Sequence, residues 1–387
     1  MIKKDHFYLV LVAALAFVVE PAVAQNAPKA SGVSVAPDEW LLFGSGKPWW
    51  YQSQPSPTSS TLQTRPPTRD EQPIVDRARD LANRHPVRAL ALLEGDSVVY
   101  LEYKAPADAD SMLFGLSMGK TVTAMAVGQA ICSGKLKFET KADDLVPQLK
   151  GTALGQVTVR DLLRMASGTE PLADSTIWTP EQFNRWNQGK LTILESVTEA
   201  RVSKAARGIF SDYKPGEYFY YKSTDPMVLG LMVTRATGMP FSYWVQETIL
   251  NPMGAAKTGF IVQDREADAA SDAGIRLRME DWIRFAQWVQ RSSKASGCFG
   301  DFVRAATSTQ ISNPGPPTAR KSGQESFDGY GYLIWTENRT APNTAWALGH
   351  AGQSISWHKD SNRMVVMFSN VYPGTQELVR DWNRLGR

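Results

Sequence analysis

The apolar pattern of this chain changes period twice, and that alternation constrains the fold more than any other feature. Ala89 to Leu93 and Val98 to Tyr103 are two short apolar-rich runs parted by Glu94-Gly95-Asp96, which reads as a β-hairpin. A helical stretch after Pro73, reaching about Arg84, precedes it. From about residue 111 to 253 the pattern is mainly helical. Asp225-Pro226 opens one helix that Gly238 closes, and Thr179-Pro180 opens another. Trp282, Phe285, Ala286 and Val289 then share one helix face. The chain returns to strands at Ser354 to Trp357 and Met364 to Ser369, and ends in an amphipathic helix carrying Leu378, Val379, Trp382 and Leu385. Strands at both ends of a helical middle predict an α+β fold. A sheet domain built from residues 70–110 and 255–387 is interrupted by a helical domain over 111–254.

The N-terminal part is of another kind. Lys3 and Lys4, the uncharged apolar run Phe7 to Val19 and the small residues Ala22-Val23-Ala24 read as a signal peptide over residues 1–24. The apolar run is too short to cross a bilayer core of about 30 Å, so the expectation is an exported, periplasmic or secreted protein with no stable membrane anchor after cleavage. Residues 25–70 are interrupted by Pro48, Pro55, Pro57, Pro66 and Pro67 and read as an irregular leader, with Trp40, Trp49 and Trp50 packing its first half on something. Hydrophobic residues at 43% and charged residues at 21% exclude a disordered, collagen-like or coiled-coil chain. A net charge of +3 gives no electrostatic footprint for nucleic acid. Cys132 and Cys298 are the only cysteines; export permits a bridge between them, but nothing in the sequence places them together, and two separate thiols are the simpler reading.

Ser-x-x-Lys occurs three times, at Ser117–Lys120, Ser211–Lys214 and Ser356–Lys359, so the spacing alone says little. Ser211 precedes the Pro215-Gly216 turn and Ser356 lies at a strand end. Ser117 alone opens a long helix, which runs toward Gly134. There Lys120 shares the face of Ser117, and the helix N-terminus favours negative charge at the serine. Burial of Lys120 would favour the neutral amine, which accepts a proton. Two further elements follow: Tyr221-Lys222-Ser223 in a loop before the Asp225 helix, and Gly349-His350-Ala351-Gly352-Gln353 entering a strand.

With these three elements in this order, the sequence resembles the serine β-lactamase-like family, and within it the branch of class C β-lactamases, esterases and 6-aminohexanoate-dimer hydrolases. Thr158-Val159-Arg160-Asp161-Leu162-Leu163 with Ser167-Gly168, Gly329-Tyr330-Gly331-Tyr332, and Val365-Val366 running to Ser369-Asn370 extend the resemblance over about 75–387. It implies a β-lactamase/transpeptidase-like fold, an antiparallel sheet flanked by helices plus a helical domain. It also implies serine hydrolysis of a small-molecule ester or amide without a cofactor. Ser117 would be the acylated nucleophile, Lys120 its proton partner, and Tyr221 a general base or shuttle. Ser223 would stand where Asn is usual, and the backbone N–H groups of Ser117 and Gln353 would form the oxyanion hole. His350 departs from the Lys-Thr-Gly of true β-lactamases, which favours esters or linear amides over β-lactams. Lys321-Ser322-Gly323 mimics that triplet from a Pro/Gly-rich loop and reads as a decoy.

Two other readings compete. Gly115-Leu116-Ser117-Met118-Gly119 also matches the G-x-S-x-G elbow of α/β-hydrolases, with His350 or His358 as the base. The Tyr-x-Ser departure is also compatible with a non-catalytic penicillin-recognition or sensor domain. Trp178, Trp186 and Trp346 adjoin the candidate segments and are candidates for an apolar acyl pocket, although core packing accounts for each alone; Asp174 is a candidate contact for a substrate amine. His85, His350 and His358 show no ligand spacing, so no metal site is expected, and no phosphate-binding glycine loop occurs.

Overall fold

The computed structural model describes residues 47, 49–152, 154–169, 180–199, 214–313 and 324–385. All of these lie in one compact unit, Val33–Arg387. The signal-peptide reading, Trp40, Asp174, Trp178, Ser211 and the Lys321 triplet lie outside the described residues.

The strands in chain order are β1 (Tyr51–Gln52), β2 (Gln63–Thr64), β3 (Val87–Glu94), β4 (Ser97–Tyr103), β5 (Leu113–Phe114), β6 (Phe260–Ile261) and β7 (Ile275–Leu277). They continue with β8 (Ile311–Ser312), β9 (Phe327–Tyr330), β10 (Trp335–Asn338), β11 (Thr344–Gly349), β12 (Gln353–His358) and β13 (Arg363–Ser369). The main sheet runs β2-β4-β3-β13-β12-β11-β10-β9-β8 and is antiparallel except where β2 lies parallel to β4. Its register sets Val365 opposite both Leu92 and Ser356, and Trp346 opposite Ser356 and Trp335.

Side chains on a strand point alternately to the two faces. All seven residues of β13 are buried, so both faces of the sheet are covered there, and β3 and β13 read as continuous apolar runs for that reason. The helices used below are α1 (Gln72–Arg84), α2 (Met118–Cys132), α3 (Val159–Leu163), α4 (Pro180–Asn187), α5 (Thr224–Thr237), α6 (Met279–Lys294), α7 (Cys298–Ala306) and α8 (Thr375–Arg384). Helices α1 and α8 pack on one another, on β3 and on β13 respectively, while α6 packs on β12 and β13. Tryptophans pin these layers by donating indole N–H groups to backbone carbonyls: Trp382 to Leu93, Trp357 to Ala286, and Trp282 to Leu113. A ring of this size leaves water without loss only when that N–H finds an acceptor.

Three expectations change. The leader expected to be irregular contributes β1 and β2, and Trp50 packs under the Arg276 guanidinium, 4.9 Å from its ring centre. A second sheet, β1-β6-β7-β5, is present that periodicity did not reveal, because its strands are only two or three residues long. The α/β-hydrolase elbow is excluded as well. The strand before Ser117 is two residues long and pairs antiparallel with β7, not within a parallel sheet, and His358 is occupied by Ser361 at the far end of β12.

The cysteine question resolves in favour of a bridge. Cys132 at the end of α2 is bonded to Cys298 at the start of α7, across a sequence separation of 166. A crosslink closing so long a loop restricts the unfolded chain. Replacing both cysteines by serine should therefore lower unfolding free energy by about 2–5 kcal/mol in urea titrations under non-reducing conditions, with little change in the far-ultraviolet circular dichroism of the folded state.

Candidate active site

Ser117 is half-buried at the N-cap of α2, directly after Leu116, whose φ of +49° lies in the left-handed region. A leucine rarely adopts that conformation, and it persists only where its surroundings over-determine it. Two close approaches do so here. A methyl group on Gly115 would meet the Trp282 ring, and one on Gly349 would collide with the Gly115 carbonyl oxygen. The turn that ends β11 is thereby held directly against the serine's loop.

Lys120, 1% exposed, donates from Nζ to Ser117 Oγ at 3.0 Å, to Ser223 Oγ at 3.4 Å and to the Asp272 carbonyl at 3.1 Å. Its ammonium also lies 5.2 Å from the centre of the Tyr221 ring and 3.8 Å from Asp272 Oδ2. Three acceptors and a carboxylate thus meet a buried cation, as burial of charge requires. Burial pushes the Asp272 carboxyl upward, while Lys120 and the Ser223 hydroxyl favour its charged form.

The Tyr221–Ser223 loop is fixed from behind. Buried Lys222 donates to the Thr169 carbonyl at 2.7 Å and lies 3.8 Å from Asp225 Oδ1, which accepts from Ser167 Oγ at 2.8 Å. Burial pushes Asp225 up to about 6 and pulls Lys222 down, while each partner opposes the shift of the other. The Ser167-Gly168-Thr169 stretch after α3 is in this way the seat of the loop. On its other side, Tyr221 stacks on Trp335 at 5.1 Å between centroids and meets the edge of Tyr330 at 6.3 Å.

Gln353 is 1% exposed, and its side-chain amide ties the turn together: it donates to the His350 and Ser369 carbonyls and accepts from the Ser369 N–H. His350 is exposed, with its ring edge-on to Tyr372 at 6.3 Å. The structure therefore brings together Ser117, Lys120, Tyr221 and Ser223, and holds the turn carrying His350 and Gln353 against the Ser117 loop.

Two of the three tryptophan candidates lie among the described residues, and both are buried. Trp186 is 4% exposed and belongs to the core. Trp346 is 1% exposed, donates to Thr344 Oγ1 and lines a cleft beside α8 with Leu348, Gln353, Ser354 and Tyr372, so it adjoins the turn that faces the Ser117 loop. The indole that meets the candidate base is Trp335. The sequence reading passed over it, though it follows Gly329-Tyr330-Gly331-Tyr332 by three residues. Asp272 was missed too, and no motif marks it.

Residues 71–386 match the family described as Beta-lactamase. The chain belongs to the Beta-lactamase family. Curated relatives include a penicillin-binding protein of Bacillus subtilis (strain 168), 25% identical over 187 residues, covering 46% of this chain and 39% of that protein. A Beta-lactamase of Providencia stuartii is 28% identical over 142 residues, covering 37% of this chain and 32% of its own. These matches span less than half the length of either relative. Among solved structures, a Bacillus anthracis protein assigned as a 6-aminohexanoate-dimer hydrolase superposes with a TM-score of 0.70 at 16% identity, covering 87% of this chain and 90% of that one. The octameric penicillin-binding protein homologue from Pyrococcus abyssi gives 0.60 at 18% identity, over 82% and 77%. The fold is thus that of the β-lactamase and transpeptidase group, and the Beta-lactamase-family homologues are serine hydrolases acting on amide or ester bonds.

Because the Gly349 contact seats the turn on the Ser117 loop, Gly349→Ala should lower kcat/KM about 10-fold or more while the protein stays folded, since small displacements of reacting groups carry such losses. Turnover of an ester or amide substrate, measured alongside the thermal unfolding midpoint, checks this.

Proposed function

We propose that the protein is an exported serine hydrolase that cleaves esters or linear amides through an acyl-enzyme on Ser117. The observation that carries the reading is the hydrogen-bonded path Ser117–Lys120–Ser223 beneath the Tyr221 ring. Ser117 Oγ attacks the substrate carbonyl and forms a tetrahedral oxyanion, which the N–H groups of Ser117 and Gln353 stabilise. The serine proton passes to the Lys120–Tyr221 pair and then to the leaving alcohol or amine as the carbonyl re-forms. Water then adds to the acyl carbonyl, gives its proton to the same pair, and the acid departs as Ser117 recovers its hydrogen.

His350 supports the substrate class. An exposed imidazole there replaces the long, permanently cationic side chain that would suit a β-lactam carboxylate. The solved neighbour assigned as a 6-aminohexanoate-dimer hydrolase is consistent with linear amides. Export is supported by the Lys3-Lys4, Phe7–Val19 and Ala22-Val23-Ala24 pattern.

Short-chain p-nitrophenyl esters should be turned over, linear oligoamides such as the 6-aminohexanoate dimer should form the second class, and penicillins and cephalosporins should be poor substrates. Lys120→Ala and Tyr221→Phe should each lower kcat by about 100-fold or more, and the double variant should lose little beyond the worse single one, because groups acting as one unit are non-additive. A cephalosporin hydrolysed faster than every ester and amide would refute the substrate class. Absence of turnover and of serine labelling in folded protein would favour a binding or sensor domain.

A further inference from the structure

Asp272 is fully buried, and neither of its carboxylate oxygens has a hydrogen-bond donor in good geometry. A carboxylate so placed is costly unless an opposite charge is near, and removal of one partner leaves the other stranded. Its position is enforced from two sides. Thr123 of α2 donates to the Ser271 carbonyl at 2.6 Å, and Ser271 Oγ donates to the Pro226 carbonyl of α5 at 2.9 Å. Gly119 and Gly230 supply the room: a methyl on the first would press the Ala273 backbone at 3.2 Å, and one on the second would strike the Ser271 side chain. Residues 271–273 are clamped between the nucleophile helix and the helix that follows the Tyr-x-Ser loop. The Asp272 backbone is thereby held beside Lys120, to which its carbonyl is hydrogen-bonded.

We propose that Asp272 is a positioning counter-ion for the Ser117–Lys120 pair, holding negative charge 3.8 Å from Lys120 Nζ and thereby setting how readily Lys120 and Tyr221 release and take up the serine proton. The proposal rests on Ser117 being the nucleophile. The groups facing Lys120 are the hydroxyls of Ser117 and Ser223, the Tyr221 ring and Asp272 itself; the loop's other charges, Lys222 and Asp225, pair with each other. Negative charge at Asp272 favours the protonated forms of both Lys120 and Tyr221, so its removal makes the base form of either easier to reach. The sign is the same whichever of the two receives the proton.

The test is the pH dependence of kcat/KM for a p-nitrophenyl ester, together with the rate of fluorophosphonate labelling of Ser117, in the wild type, Asp272→Asn and Asp272→Ser. The acid limb of both profiles should move to lower pH by about one unit or more in both variants, the size expected for a charge within about 4–6 Å. Lower amplitude with unmoved limbs would reduce Asp272 to a structural part and overturn the proposal. A wild type that does not label would instead defeat the Ser117 reading. A stability arm serves if the Asp272 variants do not fold. Lys120→Met strands Asp272, raising its folded pKa further above the unfolded value, so stability should fall as pH rises above the ordinary carboxylate range. A Lys120→Met variant with the same pH dependence of unfolding as the wild type would also overturn the proposal.

Discussion

A lysine ammonium 1% exposed must be met by acceptors and opposite charge, and the construction of the site follows from satisfying Lys120. Helix α2 brings it beside Ser117, the loop before α5 brings Ser223 and Tyr221, and the segment before β7 brings the carbonyl and carboxylate of Asp272. These contacts join parts of the chain up to 152 residues apart, so the cation works as the keystone of three separate elements. The same contacts orient the serine hydroxyl toward a proton partner, which links the burial of one side chain to the chemistry of acyl transfer.

Around this centre the scaffold is rigid where position matters. Tryptophans lock helices to strands through indole–carbonyl bonds, and the Cys132–Cys298 bridge ties the end of the Ser117 helix to α7. The left-handed Leu116 and the contact of Gly349 with Gly115 aim the serine and its facing turn at one another. Preorganised donors at such a boundary stabilise an oxyanion without reorganising as charge develops.

Much of this was legible in the sequence, for physical reasons. The hairpin, the two late strands over Ser354–Trp357 and Met364–Ser369, the Ser117 helix and the Asp225 helix have apolar periods and terminal residues that act locally, and all appear where expected. Ser117, Lys120, Tyr221 and Ser223 were singled out by the order of their motifs and the family resemblance that order carries, and the fold brings the four together. Asp272 was not, because its meaning depends on a partner far along the chain and its neighbours Ser271 and Ala273 carry no period. Trp335 escaped because twelve tryptophans offer many candidates, and only packing shows which one lies against Tyr221. The small second sheet escaped because two-residue strands have no period to read.

The most direct measurement is to trap the acyl-enzyme. Protein quenched in acid during turnover of a slowly hydrolysed ester, then digested and analysed by mass spectrometry, should carry one acyl group on the peptide containing Ser117. The peptides containing Ser211 and Ser356 should remain unmodified, and the adduct should be absent in Ser117→Ala. An acyl group found on another residue, or turnover retained by Ser117→Ala, would contradict the assignment of Ser117 as the nucleophile.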